Sequence, residues 1–389
     1  MPIKSVAIVG AGIAGLTAAL SFARQGISSD IVEQAGELTE VGAGLQVSPN
    51  AARILAELGV MTEVEARWTE PVSVDLADGK SLATLLSLPV GATARTRWGA
   101  PYGVLHRSTL QNALLNAVTR NPLCRLHLGK RIENATTDVI AATTFRDHDL
   151  IVGADGVWSA ARFAVPSAPT ATFSGNIAWR FTVAAKDVPS AINKSAVTAY
   201  LGSGGHIVAY PLKEVGGFNI VAIALGADPG ATWRAESSGQ QKAMLLAQFR
   251  GWSPDIVRLL ASSENPTFWP LYQAGAGRWQ NGRDTVLIGD AAHAMMPFAA
   301  QGAAMAIEDA FELAGTLTGT SPPVPQALAA FEALRLPRIE KARKRASLNR
   351  FAYHATGPVR LARDFVFSTR PREAFLKDFD WLYGYRAKG

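Results

Sequence analysis

Two short motifs constrain this chain more than anything else in it: Gly10-Ala-Gly12-Ile-Ala-Gly15 with Glu33 behind it, and Gly289-Asp290-Ala-Ala-His293 far downstream. The first follows the apolar run Val6 to Val9 and opens a helix-like stretch, so backbone N–H groups and a helix N-terminus can hold a pyrophosphate. Glu33 closes the β-like run Asp30 to Val32, where a carboxylate accepts the ribose hydroxyls of an adenosine. Strand, glycine turn, helix and acid at this spacing predict a dinucleotide site. A glycine-rich turn in another α/β protein gives a similar string. Ser5 to Ala23 also lacks any charged residue, so hydropathy alone would read a leader or a membrane span. Three glycines at turn spacing and the return to a strand ending in Glu33 argue against insertion.

With 389 residues, 48% of them hydrophobic, there is room for two domains with sizeable cores. A single cysteine, Cys124, excludes an intramolecular disulfide and a Cys-based metal cluster, so no metal is expected and redox chemistry must come from a cofactor. The net charge of +6 attracts anions such as nucleic acid, nicotinamide phosphates or an aromatic carboxylate. Much of the excess lies between Arg335 and Arg350, including Arg338, Lys341, Arg343, Lys344 and Arg345. That run reads as the solvated face of a helix, because no nucleic-acid motif or interleaved aromatic supports another role.

Along the chain the nucleotide unit continues through a helix-like Asn50 to Leu58 and gives way near Pro71 to shorter β-like pieces. Ser108 to Val118 has helical spacing, with Ser108 as its N-cap and Arg107 just before it. Asp149 to Val152 is a buried-strand pattern running into Gly153-Ala-Asp155-Gly156. From Pro166 to about Trp269 strands dominate, with Gly216-Gly217 as a turn. Thr285 to Ile288 then reads as a returning strand, Gly302 to Leu317 as a helix, and Pro322, Pro323 and Pro325 as a break. Residues 1–70, 100–165 and 275–345 are therefore assigned to a discontinuous nucleotide domain, 71–99 and 166–274 to a sheet domain, and 346–389 to a C-terminal helical segment.

With these motifs in order, the chain resembles the single-component FAD-dependent aromatic hydroxylases, in particular their salicylate and hydroxybenzoate hydroxylase branch. The resemblance spans GAGIAG with Glu33, Val41-Gly-Ala-Gly44, Pro49-Asn50, Leu105-His-Arg107, DLIVGADGVWSAAR from Asp149, Trp179-Arg180, His206 to Pro211 and Val286 to Ala310. It implies an α/β fold: a Rossmann-like FAD-binding domain with an inserted sheet-rich substrate domain and C-terminal helices. It further implies non-covalent FAD held by Gly10, Gly12, Ala14, Gly15 and Glu33, with Gly44 among the contacts and Arg107 and Asp290 reaching the pyrophosphate and ribitol. Asp155 falls in a stretch resembling the family's shared contact with FAD and NAD(P)H.

Elementary physics supports several of these positions independently. A helix dipole supplies about half a charge, too little for a pyrophosphate, and a planar, permanently charged guanidinium such as Arg107 suits the remainder. Asp290 sits where ligands of open α/β sheets bind, beyond the carboxyl end of a strand, although an ordinary helix cap would look alike. Asp155-Gly156 is also common turn chemistry. Pro297 fixes the chain ahead of Gly302-Ala303, whose free N–H groups water alone could cap; the resemblance turns them, with Pro297, toward the pyrimidine edge of a flavin, where they would stabilise the anion formed on reduction. Relatives often carry Gly where Ala300 stands and a polar residue where Met305 stands.

The substrate side rests on the strand His206-Ile-Val-Ala-Tyr210. Alternation puts His206, Val208 and Tyr210 on one face, and Ile207 and Ala209 on the other. A histidine, with a pKa near neutrality, can take the phenolic proton of a substrate; an inter-strand histidine and a core tyrosine are the plainer readings. The resemblance places His206 and Tyr210 in the substrate pocket and gives Gln301 a part in orienting the substrate. His293 looks structural. Trp179-Arg180 reads as interface packing, with carboxylate binding by Arg180 left open.

The activity implied is hydroxylation of a small phenolic or hydroxypyridine aromatic acid through C4a-hydroperoxyflavin, with NADH or NADPH and O₂ as co-substrates. Salicylate-type and 3-hydroxybenzoate-type substrates lead, and a 6-hydroxynicotinate-type ring is the alternative. No second nucleotide fingerprint exists, so the nicotinamide cofactor binds transiently. A cytoplasmic location, a homodimer, and no nucleic-acid or membrane partner complete the expectation. A flavin oxidase or reductase, or a non-catalytic flavin sensor, stands as the reading from another class; a halogenase would need a tryptophan-rich signature and a catalytic lysine that do not stand out here.

Overall fold

The computed structural model describes residues 3–38, 44–228, 235–236, 239–263, 266–318 and 323–389. Val41 to Ala43 of the glycine-rich stretch and Pro322 lie outside them. Among the described residues, a parallel sheet has the order Thr285–Leu287, Leu150–Gly153, Ser5–Val9, Ser28–Val32, Cys124–His127. The sequence of Ser5–Val9 is apolar at nearly every position because helices cover both faces of such a sheet, and the whole strand is buried. Helix Ile13–Arg24 packs against it and against helix Gly302–Thr316. The returning strand thus completes the sheet that the first strand began.

A second, mostly antiparallel sheet runs in the order Ala235–Glu236, Thr267–Ala274, Ala171–Ala184, Gly217–Leu225, Gly205–Leu212, Ala196–Gly202, Ser73–Asp78, Thr84–Pro89. Ser73–Asp78 joins it in parallel with Ala196–Gly202, so two segments far apart in sequence share one sheet. Its alternation sorts side chains as expected for Gly205–Leu212. Ile207 and Ala209 join Trp179, Phe218 and Ile220 in a core closed by Leu245, Ile256 and Leu260 of helices Gly239–Gln248 and Pro254–Ala261. Val208 and Tyr210 pack instead against the core of the nucleotide domain. His206, on their side, meets Phe298 at a ring distance of 5.0 Å. One face of the sheet therefore looks onto the nucleotide domain.

Two local expectations need correction. The helix after Gly103–His106 is Arg107–Arg120 with His106 at its N-cap, so Arg107 begins the helix and Ser108 does not cap it. The Ser108 hydroxyl bonds His106 Nδ1 at 2.6 Å, while Glu214, in the 3₁₀ turn Lys213–Val215 between two strands of the second sheet, accepts His106 N–H at 2.6 Å. The basic run from Arg335 is also only partly solvated. Lys341, Lys344 and Arg350 are exposed, but Arg335 is fully buried and Arg338 nearly so. Arg335 pairs with Glu308, Asp309 and Glu312 on the buried helix Gly302–Thr316, and Arg338 with Glu308. Three carboxylates within an otherwise apolar helix demand cations, and a nearby helix supplies them. That helix, Val324–Tyr353, runs unbroken through position 346, where the C-terminal segment was expected to begin; Pro337 lies inside it.

Candidate active site

The N-terminal turn is shaped by steric demands at two glycines. Gly10 has φ +104°, and a Cβ there would lie 2.5 Å from Ala154 O. A Cβ on Gly15 would lie 1.9 Å from Gly10 O, so only glycine lets the helix begin this close to the strand. Gly12 differs: a Cβ there would meet nothing within 4 Å. Gly12 caps helix Ile13–Arg24 without any side-chain hydrogen bond, so its first amides are open to an anion. Glu33 is anchored at the same turn, accepting Ala11 N–H at 2.8 Å and Ala35 N–H at 2.9 Å. Each carboxylate oxygen keeps acceptor capacity for hydroxyls.

The downstream motif comes to rest on this turn. A Cβ on Gly289 would lie 3.2 Å from both Ala14 Cβ and Ala306 Cβ, so the two motifs touch through small residues. Asp290 begins the short helix Asp290–His293 and is half-buried, with no hydrogen bond from its carboxylate to another described residue. His293 is buried and structural as expected: its Nε2 lies 2.5 Å from Asp309 Oδ2, which also accepts Gly289 N–H at 3.0 Å.

Asp155 accepts the N–H groups of Ala160 and Ala161 at 2.7 and 3.0 Å through Oδ2, and its buried Oδ1 has no hydrogen-bond partner among the described residues. Burial pushes its carboxyl pKa up, against those hydrogen bonds. Its turn carries Arg162, a residue the motif contained but sequence reasoning gave no role. The Arg162 guanidinium donates to Val157 O at 2.6 Å, Ala291 O at 2.7 Å and Asp290 O at 2.9 Å, fastening the Asp155 loop to the Asp290 helix.

Pro297–Ala299 form a 3₁₀ turn, Ala300 takes a left-handed conformation with φ +51°, and Gln301 precedes helix Gly302–Thr316. That helix has no side-chain cap, and a Cβ on Gly302 would meet nothing within 4 Å, so the amides at Gly302 and Ala303 open outward. Gln301 is buried; its Nε2 donates to Ser48 Oγ at 3.1 Å, and its Oε1 lies 3.4 Å from Asn50 Nδ2. Asn50 in turn donates to Glu308 Oε1 at 2.7 Å. Glu308 is held by Arg335 and Arg338, whose guanidinium groups also bond the others: Arg335 to Asp309 and Glu312, Arg338 to the carbonyls of Trp381 and Leu382. A buried polar chain thus links Gln301 to the C-terminal segment. Its only advance signal was Glu308-Asp309-x-x-Glu312 in an apolar helix.

Opposite lies the sheet face. A Cβ on Gly44 would fall 2.7 Å from Tyr210 Cε2 and Oη, and Gly44 N–H donates to Asn219 Oδ1 at 2.7 Å, so Gly44 and Tyr210 meet in close contact. Burial raises the Tyr210 phenol well above its ordinary pKa, keeping it neutral. His206 bonds His354 through Nδ1 at 3.0 Å, a partner no local pattern announced, and burial keeps His206 neutral. Arg180 lies in register with Val221, next to Val208 on the same face, with its guanidinium over Trp269. His206, Tyr210 and Gln301 share no hydrogen bond among the described residues. His206 and the turn before Gln301 are joined through Phe298. Arg107 heads its helix and is partly exposed.

A family of FAD binding domains matches residues 4–346. The chain is 36% identical over 390 residues to the 3-amino-4-hydroxybenzoate 2-monooxygenase PtnB3 of Streptomyces platensis, covering 98% of this chain and 96% of that protein. It is 32% identical over 393 residues to 3-hydroxybenzoate 6-hydroxylase 1 of Aquipseudomonas alcaligenes, covering 98% of each. Klebsiella pneumoniae HpxO complexed with FAD and uric acid superposes with a TM-score of 0.81 at 24% identity, covering 96% of this chain and 95% of that one, which establishes the shared fold. An open helix N-terminus beside an anchored acid, closed by a second acidic loop, is what such cofactor domains require, and the chain belongs to the FAD-dependent aromatic monooxygenases. Among the described residues no helix is long and apolar enough to cross a membrane, and no cluster of His, Cys, Asp or Glu could hold a metal ion.

Proposed function

We propose that this monooxygenase hydroxylates a small phenolic acid of the hydroxybenzoate type at the expense of NAD(P)H and O₂, with the reacting ring between the His206–Tyr210 face and the Pro297–Gln301 turn. The observation that carries this reading is the opposition of that face, through His206 and Phe298, to a turn whose helix N-terminus is open. The named relatives, a 3-amino-4-hydroxybenzoate 2-monooxygenase and a 3-hydroxybenzoate 6-hydroxylase, support the choice of ring.

Bound FAD supplies hydride acceptance and oxygen activation. The protein's own part is binding and placement. The turn at Gly10, Gly12, Ala14 and Gly15 with Arg107 holds the pyrophosphate, and Glu33 takes the ribose. Asp290 would reach toward the ribitol and Asp155 would serve the contact shared by FAD and NAD(P)H, supported by an Asp155 Oδ1 and an Asp290 carboxylate without hydrogen bonds among the described residues. Gly44, Pro297, Gly302 and Ala303 would hold the flavin ring, and the helix N-terminus would favour negative charge on it. His206 accepts the phenolic proton, Tyr210 donates a hydrogen bond, and Gln301 orients the ring. Residues 71–99 and 166–274 make the substrate side. We place the enzyme in the cytoplasm as a homodimer.

The test is a panel of 3-hydroxybenzoate, 3-amino-4-hydroxybenzoate, salicylate and 6-hydroxynicotinate with the FAD-loaded protein. Nicotinamide oxidation is measured with oxygen uptake, product mass and carbon dioxide release. One oxygen atom added per NAD(P)H with any benzoate supports the proposal. Turnover confined to 6-hydroxynicotinate would move it to heteroaromatic acids, and nicotinamide oxidation without oxygen uptake would overturn it.

A further inference from the structure

His206 lies on the sheet face and is 1% exposed, and its neighbours are the rings of Phe298, Tyr353 and His354. A base in such surroundings has a problem. An imidazolium sealed away from water is costly, so a proton taken from a substrate must not stay there. The geometry supplies an exit. His206 Nδ1 stands 3.0 Å from Nε2 of His354, the residue that ends helix Val324–Tyr353 and is partly exposed. The two histidines are 148 residues apart in sequence, so the contact is made by packing of the long helix against the sheet domain.

Resting on the function proposed above, we propose that His206 and His354 form a proton relay that carries the substrate's phenolic proton to solvent, with His354 acting through His206. In the starting state His206 carries its proton on Nδ1 and donates it to His354 Nε2, leaving His206 Nε2 to face the substrate. The phenol O–H bond breaks and its proton goes to His206 Nε2. The His206 Nδ1–H bond breaks and that proton goes to His354 Nε2. His354 releases its Nδ1 proton to water. One proton leaves, no electrons move, and the reverse passage returns a proton when the product leaves. The buried His206 ring need hold no net charge if the first two transfers are concerted.

Surrounding charges favour release over storage. Burial and the Arg350 guanidinium lower the His354 pKa to about 4, so a proton does not rest there near neutral pH. The helix carboxyl end, where the His354 N–H donates to Ala352 O and Arg350 O, eases its passing imidazolium. Tyr353 is the other titratable side chain against His206, and burial keeps its phenol protonated.

Two measurements decide the matter. Nitrogen-15 NMR of the histidines in the FAD-loaded, substrate-free protein reads the tautomers directly, with His206→Gln and His354→Gln assigning the signals. A proton on His206 Nδ1 and an unprotonated His354 Nε2 support the relay. The opposite pairing overturns it, because His206 Nε2 would already be occupied. In steady state with 3-hydroxybenzoate or 3-amino-4-hydroxybenzoate, His354→Gln keeps a hydrogen-bonding group but cannot pass a proton. Its kcat is expected to fall by about tenfold or more near pH 7, with KM within about threefold, and to recover as pH rises toward ionisation of the free phenol. Imidazole is expected to restore part of the activity of His354→Ala. A His354→Gln enzyme with wild-type kcat at every pH, or a loss equal at every pH without imidazole rescue, overturns the relay while leaving the hydroxylase reading intact. Should neither acid be hydroxylated by the wild type, that reading fails on its own and the tautomers still judge the pair.

Discussion

Ala14 and Gly289 are far apart in the chain, yet a side-chain carbon on Gly289 would sit 3.2 Å from Ala14 Cβ. Gly289 also adopts φ +59° with ψ −140°, a region essentially reserved for glycine. The junction of the two cofactor motifs therefore tolerates no side chain. Gly289→Ala is expected to cost about 1–3 kcal/mol through backbone strain and to displace Asp290, so that FAD is retained poorly. Urea unfolding of the apoprotein measures the first effect and fluorimetric FAD titration the second. An alanine variant with unchanged stability and FAD affinity would show that the junction has slack.

The buried charge cluster makes a sharper energetic demand. Arg335 bonds Asp309 Oδ1 at 2.7 Å, Glu308 Oε2 at 2.9 Å and Glu312 Oε2 at 2.9 Å. Arg335→Met leaves those carboxylates short of a cation, and breaking a buried pair from one side costs about 3–5 kcal/mol. Glu312→Gln is expected to cost less, because burial already raises the Glu312 carboxyl and weakens its hold on a negative charge. The double variant should recover part of the Arg335→Met loss. Denaturant midpoints for the four proteins check this, and strict additivity would mean that Arg335 and Glu312 act independently.

These two cases also show what a reader of the sequence can see. Gly10 to Glu33 was legible because strand, turn and helix adjoin in the chain, and Gly10 and Gly15 each answer a nearby steric need. The strand His206 to Tyr210 was legible for the same reason, since alternation is local. Arg335 and Arg338 were not, because a run of cations on a helix looks the same whether water or three carboxylates face it. Spacing alone makes Ser108 a cap, whereas Glu214 and His106, brought together by the fold, occupy the helix start. Arg162 lay within a recognised motif, but its three carbonyl partners appear only when Asp290 and Ala291 are set beside it. His354 had no pattern at all.

Ala300 offers a prediction in the stabilising direction. Its φ of +51° puts a Cβ-bearing residue in the left-handed region just ahead of helix Gly302–Thr316. That conformation costs an L-residue about 1–2 kcal/mol, a cost glycine does not carry. Ala300→Gly is expected to recover about 1 kcal/mol, less what glycine gives back in unfolded-chain entropy. A rise in thermal midpoint measures the gain. A drop would mean that the alanine methyl makes contacts worth more than the strain.

The histidine pair sets a pH window for folding itself. His206 and His354 both have folded pKa values below the ordinary 6.5, His354 at about 4, with burial the main cause for each. A depressed pKa means that the unfolded chain binds protons the folded one refuses. The resulting stability is fully present above about pH 6.5 and is lost as pH falls through the folded values. Unfolding free energy should therefore decline between about pH 6.5 and pH 4, before most carboxylates titrate. Asp309 acts lower on the scale, because its carboxyl is held well below the ordinary range by His293 and Arg335 despite burial. Replacing His206 and His354 together by Phe and Gln should flatten the decline across the upper window and leave the acid limb below it. Urea titrations at half-unit steps from pH 7.5 to about 4 would resolve the two limbs. An unchanged slope in the double variant would assign the proton uptake to other groups, with His148, also depressed by burial, the first to examine.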